Sequence, residues 1–113
     1  MTNERTIVGR DLARQMWQVE DSIEESIKRL GEMISQLPSA RKRCRLAGTV
    51  GQDVFAGAAA TLQMLVSARG EAVSLHNGMA ELGEQLGVRP VSIGSDWKLN
   101  EPPKLVSVQD EAA

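Results

Sequence analysis

Aromatic residues make up only 3% of this 113-residue chain, and tyrosine is absent. Strands of β-sandwiches and β-barrels favour aromatic and β-branched side chains, so this scarcity argues against an all-β fold. It favours packing between aliphatic helices instead. The single cysteine, Cys44, leaves no intrachain disulfide and no zinc site built from several thiolates.

Long hydrophobic runs are missing as well. No window approaches the roughly 18 uninterrupted apolar residues that indicate a transmembrane helix. The opening stretch MTNERTIVGRD has no apolar core of a signal peptide. The net charge of −2 gives no global attraction to nucleic acid or to an anionic membrane. We therefore expect a soluble cytoplasmic protein with one helical domain.

The first periodic segment predicts an amphipathic helix from about Gly9 or Arg10 to Leu37. Its apolar residues recur every three or four positions, which places them on one face. Pro38 is expected to end the helix, because the residue before a proline is pushed out of the α region. The apolar positions are Leu12, Met16, Val19, Ile23, Ile27, Leu30, Ile34 and Leu37.

The second segment predicts one long helix over residues 40–86, with Ser39 as its N-cap. Its apolar and small residues alternate steps of four and three, which is a heptad pattern. Gly87 suits the position just past the helix, and Pro90 prevents continuation. The weak point is GTVG at 48–51, where a break would give three helices instead.

The heptad seam of this second helix continues well beyond the reach of the first. Folding back across residues 37–40 would place large residues opposite small ones, such as Val19 opposite Ala58. The small-residue stretch at 51–65 would then be a groove for the first helix. The unpartnered part of the seam is Ala68, Ala72, Leu75, Met79, Leu82 and Leu86. We predict that a homodimer covers it and forms a four-helix bundle.

Residues 88–113 contain three prolines and two short apolar patches, which predict an extended tail with a disordered end. The chain thus divides into a helical hairpin domain at 1–87 and a tail at 88–113. Trp97 is the candidate anchor of this tail. It would pack on its own bundle or dock on a different protein.

The sharpest charge feature is RKRCR, in which Arg41, Lys42, Arg43 and Arg45 lie within five positions. Such a cluster could contact the phosphates of nucleic acid. It could also be the solvated end of a hairpin, or pair with the acidic run at 20–25 of a second subunit. The acidic chain and the lack of interleaved aromatics disfavour nucleic acid.

No constellation of catalytic residues is present in the sequence. Cys44 has basic neighbours that could make it reactive, but no histidine lies beside it. His76, the only histidine, has no carboxylate three or four positions away. Phosphate-binding glycine loops, hydrolase elbows and zinc motifs are absent from the pattern. We expect no enzyme, no cofactor and no metal site.

These observations predict an all-α antiparallel hairpin that acts as a structural or protein-interaction module. The first alternative is a small nucleic-acid-associated protein that uses residues 41–45. The second is a surface-coating protein, since the amphipathic, cysteine-poor character is similar to that of phasins. The length and hairpin shape are also similar to those of small secreted helical hairpins, but the expected turn LPSARK lacks their Trp-x-Gly motif.

Overall fold

A computed structural model describes residues 3–90 and 105–107 of the chain. Helix α1 spans Glu4–Arg43 and helix α2 spans Gln52–Gln85. The two helices contact each other, which confirms the predicted all-α helical hairpin.

Two short strands follow the helices. Strand β1 spans Val88–Pro90 and strand β2 spans Leu105–Ser107. They pair antiparallel, with Val88 opposite Ser107. The described parts of the predicted tail are therefore extended, whereas Trp97 and the end of the chain lie outside the described residues.

The N-terminus of α1 is capped by Asn3, so the helix begins earlier than the predicted Gly9 or Arg10. The Asn3 Oδ1 atom accepts a hydrogen bond from the backbone N–H of Thr6 at 2.9 Å. It also accepts one from the Thr6 hydroxyl at 3.0 Å, and Thr6 is fully buried. A side-chain acceptor at this position satisfies one of the backbone donors that the first turn leaves free.

Pro38 lies inside α1, so the prediction that it ends the helix is wrong. A proline within a helix removes one backbone hydrogen bond and costs about 3 kcal/mol. The helix nevertheless continues to Arg43, where a capping turn satisfies its last carbonyls. The N–H of Arg45 donates to the Lys42 carbonyl, and the N–H of Leu46 donates to the Arg41 carbonyl. This pair of bonds is a Schellman motif.

The predicted single helix over residues 40–86, capped by Ser39, is also wrong, because residues 44–51, which include the GTVG stretch, separate α1 from α2. Gly51 has a φ of 84°, in the left-handed region that favours glycine. Helix α2 starts directly after it, at Gln52. Gly87, with a φ of 81°, confirms the predicted end. The break gives two helices rather than three, because residues 40–43 belong to α1.

The chain divides into two compact units. The terminal unit comprises Met1–Glu20 and Ala72–Ala113, and the central unit comprises Asp21–Glu71. In the terminal unit, Thr6, Met16, Ala72 and Val88 are buried. In the central unit, Ala58 is the buried side chain among the described residues.

Contacts between the helices correct the predicted register. In the terminal unit, Nδ1 of His76 lies 2.6 Å from Oε1 of Glu20. In the central unit, Nε of Arg69 donates to Oε1 of Glu24 at 2.6 Å. Val19 therefore does not face Ala58, since its neighbour Glu20 faces His76. The turn lies at residues 44–51 instead of 37–40, which moves every pair of facing residues along α2.

The hairpin leaves much of its apolar surface uncovered. Among the described residues, large apolar side chains that are more than two-fifths exposed are far more numerous than buried ones. They are Ile7, Val8, Leu12, Val19, Met33, Leu46, Val50, Val54, Met64, Val66, Val73, Leu75, Leu82 and Leu86. This exposure is the main structural clue to what the chain does.

Candidate functional site

The terminal unit contains an apolar groove with a volume of about 330 Å³. Both helices and strand β1 supply its walls. On α1 the lining includes Val8, Leu12 and Met16, and at the end of α2 it includes Leu82 and, just past the helix, Leu86. The groove is lined almost entirely by apolar atoms, so its natural occupant is itself apolar.

Helical spacing explains how these side chains come to line one groove. Val8, Leu12 and Met16 are four residues apart, which aligns them along one face of α1. Leu82 of α2 and Leu86, in the turn just after it, have the same spacing, and the N–H of Leu86 donates to the Leu82 carbonyl. Val88 of β1 also lines the groove and is itself buried.

Gly83 allows the strand to approach the helix closely. A Cβ atom at this position would lie 3.1 Å from the carbonyl oxygen of Val88. A larger residue there would push the strand away from α2. The glycine thus permits the close contact that brings Val88 into the groove wall.

Helical spacing continues the apolar pattern beyond the groove, because Val19 lies three residues after Met16 and Leu75 lies four before Met79. We define the apolar face as Val8, Leu12 and Val19 of α1, Leu75 and Leu82 of α2, and Leu86 just after α2. Their exposed fractions lie between 42% and 55%. Large exposed apolar patches on proteins are a feature of interaction surfaces, so this face is the candidate site.

Polar groups are confined to a few lining positions of the groove. Glu4, Arg5 and His76 also belong to the lining. His76 contacts Glu20, and an ionised carboxylate can only accept, so Nδ1 of His76 carries the hydrogen of this bond. The pair holds the imidazole against α1.

The predicted interface residues have different environments. Ala72 is buried within its own chain, and Met79 is half-buried and lines the groove. Leu75, Leu82 and Leu86 are exposed. Ala68 is exposed as well. The premise behind this set is wrong, because α1 does reach this part of α2, but an interface role for the exposed leucines stays a prediction.

The predicted basic cluster lies at the carboxyl end of α1 and in the following loop. Lys42, Arg43 and Arg45 are exposed, and Arg41 is half-buried. The Arg41 guanidinium donates to the Leu46 carbonyl at 2.7 Å. Basic side chains at this end of a helix interact favourably with its dipole. The sequence offered the acidic run at 20–25 of a second subunit as their partner. Two residues of this run already have contacts within their own chain, Glu20 with His76 and Glu24 with Arg69.

Cys44 is exposed in the loop, so its predicted place on an apolar helix seam is wrong. Among the described residues, no group of three or more histidine, cysteine or acidic side chains could hold a metal ion. In that same part of the chain, neither helix is long and apolar enough to span a bilayer.

Several lining residues were not singled out from the sequence, among them Val8, Gly83 and Val88. Val8 lies four residues before Leu12, so extending the apolar pattern by one step would have found it. Gly83 carried no such signal, because its role depends on a strand that follows the helix. Val88 joins the groove only through that strand.

Comparisons with known proteins add no information on the fold or the groove. No family model, no curated protein and no solved structure matches the chain.

Proposed function

We propose that the chain is a helical protein-interaction module that pairs with a second copy of itself through the apolar face of the terminal unit. The observation that carries this proposal is the groove, lined by the half-exposed Val8, Leu12, Leu82 and Leu86. Val19 and Leu75, also half exposed, continue the same helix faces beyond it. The proposal assigns the chain a structural role and no catalysis.

Energetics favour a second copy as the partner. Fully burying one aliphatic side chain is worth about 1.5–3 kcal/mol, so covering six half-exposed ones gives roughly 4–9 kcal/mol. Two copies that cover each other gain roughly twice that amount. Association costs an estimated ~4–15 kcal/mol in lost freedom of motion. A partner that brings an equal apolar face therefore offsets this cost, whereas a polar partner does not.

The same pairing accounts for the predicted four-helix bundle. Each copy contributes two helices, and a symmetric dimer brings the same patch of both copies together. Leu75, Leu82 and Leu86 keep their predicted role at the interface. Ala72 is buried within its own chain, so it packs beneath the proposed interface and does not contact the second copy.

Light scattering coupled to gel filtration tests the proposal, at low and high salt. We expect a dimer at micromolar concentration that resists salt, because an apolar interface is not screened. The variant Leu12→Asn/Leu82→Asn is expected to elute as a monomer, because each asparagine would be buried at the interface without a partner. The matched control is Met64→Asn, which changes a side chain that is 71% exposed in the central unit.

The control should remain a dimer with unchanged helicity by circular dichroism. A monomeric parent protein would refute the proposal. So would an equal loss of dimer in the control and in the groove variant, since that would place the interface outside the terminal unit.

A further inference from the structure

The basic loop, defined here as residues 41–50, combines positive charge with exposed apolar side chains. Four cations lie at its start, and in the described part of the chain none of the ion pairs involves them. Leu46 and Val50 follow, and they are 44% and 45% exposed. Neither feature is used by the groove of the terminal unit.

Local charge decides what this loop attracts, although the whole chain is acidic. Between residues 33 and 68 there are four cations, and Asp53 is the single carboxylate. Glu32 lies nine residues before Arg41 on α1, which is about 14 Å at 1.5 Å per residue. Charges beyond about 8 Å are largely screened at physiological salt. A surface that meets the loop therefore meets a positive patch.

The capping turn holds charge and apolar groups together. Arg45 adopts a φ of 58°, and the Schellman bonds of Arg45 and Leu46 fix the backbone there. The guanidinium of Arg41 donates to the carbonyl of Leu46, which ties the first cation to the first apolar residue. A loop ordered in this way loses little conformational freedom on binding.

The exposed apolar side chains distinguish between two anionic partners. Nucleic acid offers phosphates, which attract the cations but gain nothing from Leu46 or Val50. Its bases stack on aromatic side chains, and residues 41–50 contain none. An anionic bilayer surface offers both negative headgroups and an apolar boundary. The helix dipole explains cations at the end of α1, but it does not explain the leucine and valine beside them.

We propose that the basic loop docks this protein on an anionic lipid surface. Lys42, Arg43 and Arg45 contact the headgroups, and Leu46 and Val50 enter the boundary between headgroups and acyl chains. This is a peripheral attachment at a site separate from the groove, and it does not depend on the proposed dimer.

Co-sedimentation of the full-length protein with phospholipid vesicles tests the proposal. The probes are phosphatidylcholine vesicles with and without phosphatidylserine, each at low and high salt. We expect binding only to the vesicles with phosphatidylserine, and we expect it to weaken as salt rises.

Two loop variants separate charge from apolar contact. Lys42→Gln/Arg43→Gln/Arg45→Asn keeps the bond from Arg41 and places asparagine, which tolerates the left-handed region, at 45. Each cation contributes about a fivefold gain in binding, so we expect a loss of roughly a hundredfold. Leu46→Ser/Val50→Ser should weaken binding about tenfold and leave its salt dependence unchanged.

The matched control removes the same number of charges elsewhere, as Arg14→Gln/Lys28→Gln/Arg29→Gln. It should bind the vesicles as the parent protein does, and circular dichroism should show equal helicity in all variants. The proposal is overturned if the parent does not bind phosphatidylserine vesicles, or if the control loses as much as the loop variant. Tighter binding to a DNA or RNA oligonucleotide, unaffected by Leu46→Ser/Val50→Ser, would overturn it as well.

Discussion

The terminal and central units are built from the same two helices but bury very different side chains. The terminal unit buries Met16, Ala72 and Val88 together with Thr6. The central unit contains the apolar stretch at 51–65, yet Ala58 is its buried residue among those described. Apolar composition alone therefore does not decide burial. The terminal unit buries more side chains because its helices carry larger residues at their contact and because strand β1 packs against them.

The two helix ends show a second contrast between the units. Both α1 and α2 are followed by a residue in the left-handed region. After α2 this residue is Gly87, for which the conformation costs nothing. After α1 it is Arg45, for which the same region is strained. The central unit thus keeps an arginine where stability alone would favour glycine, which agrees with a binding role for the loop.

The largest expected effect concerns the core of the terminal unit. Met16→Ala removes a side chain that is 6% exposed, and we expect the free energy of unfolding to fall by about 2–5 kcal/mol. Met64→Ala changes an exposed methionine of the central unit and should cost less than about 0.5 kcal/mol. Urea unfolding followed by circular dichroism, at one protein concentration, measures both. Equal losses would show that the two units do not differ in packing.

The next effect concerns the small-residue stretch of the central unit. Ala58→Leu adds volume at a buried position and should destabilise the protein by about 1–3 kcal/mol. Ala59→Leu adds the same volume at the exposed neighbour and should leave stability within about 0.5 kcal/mol. The same unfolding experiment distinguishes them. If Ala58→Leu stabilises the protein, this part of the hairpin has room that a larger side chain can fill.

The smallest effect compares the two helix ends. Arg45→Gly relieves the left-handed strain, and we expect a gain of about 0.5–1 kcal/mol in the free energy of unfolding. Gly87→Ala introduces the same kind of strain after α2 and should cost about 1 kcal/mol. Thermal unfolding of the two variants beside the parent measures the opposite shifts. A loss in Arg45→Gly would mean that arginine contacts in the loop outweigh the backbone strain.

Much of the local structure could be predicted from the sequence. The spacing of Met16, Ile23 and Leu30 correctly indicated a helix, and these side chains are buried or half-buried. Gly87 correctly marked the end of α2. The basic cluster and the exposed leucines of α2 were also found, although their surroundings were not. Each of these signals depends on neighbours within one or two helical turns.

The position of the turn could not be predicted in the same way. Pro38 is a strong local stop signal, but the structure keeps it inside α1 and turns at residues 44–51 instead. The heptad pattern across GTVG suggested a continuous helix, because periodicity does not record the conformation of Gly51. One misplaced turn then changed the register of every facing pair, from Val19 with Ala58 to Glu20 with His76.

Local sequence signals were enough to establish that this protein is helical, which residues share an apolar helix face and which form the basic cluster. Those properties follow from side-chain spacing and from charges that are close along the chain. The tertiary structure alone decided the register of the hairpin, the groove in the terminal unit and the pairing of β1 with β2. These depend on residues far apart in the chain, whose contacts together outweigh the cost of a single proline or a strained arginine.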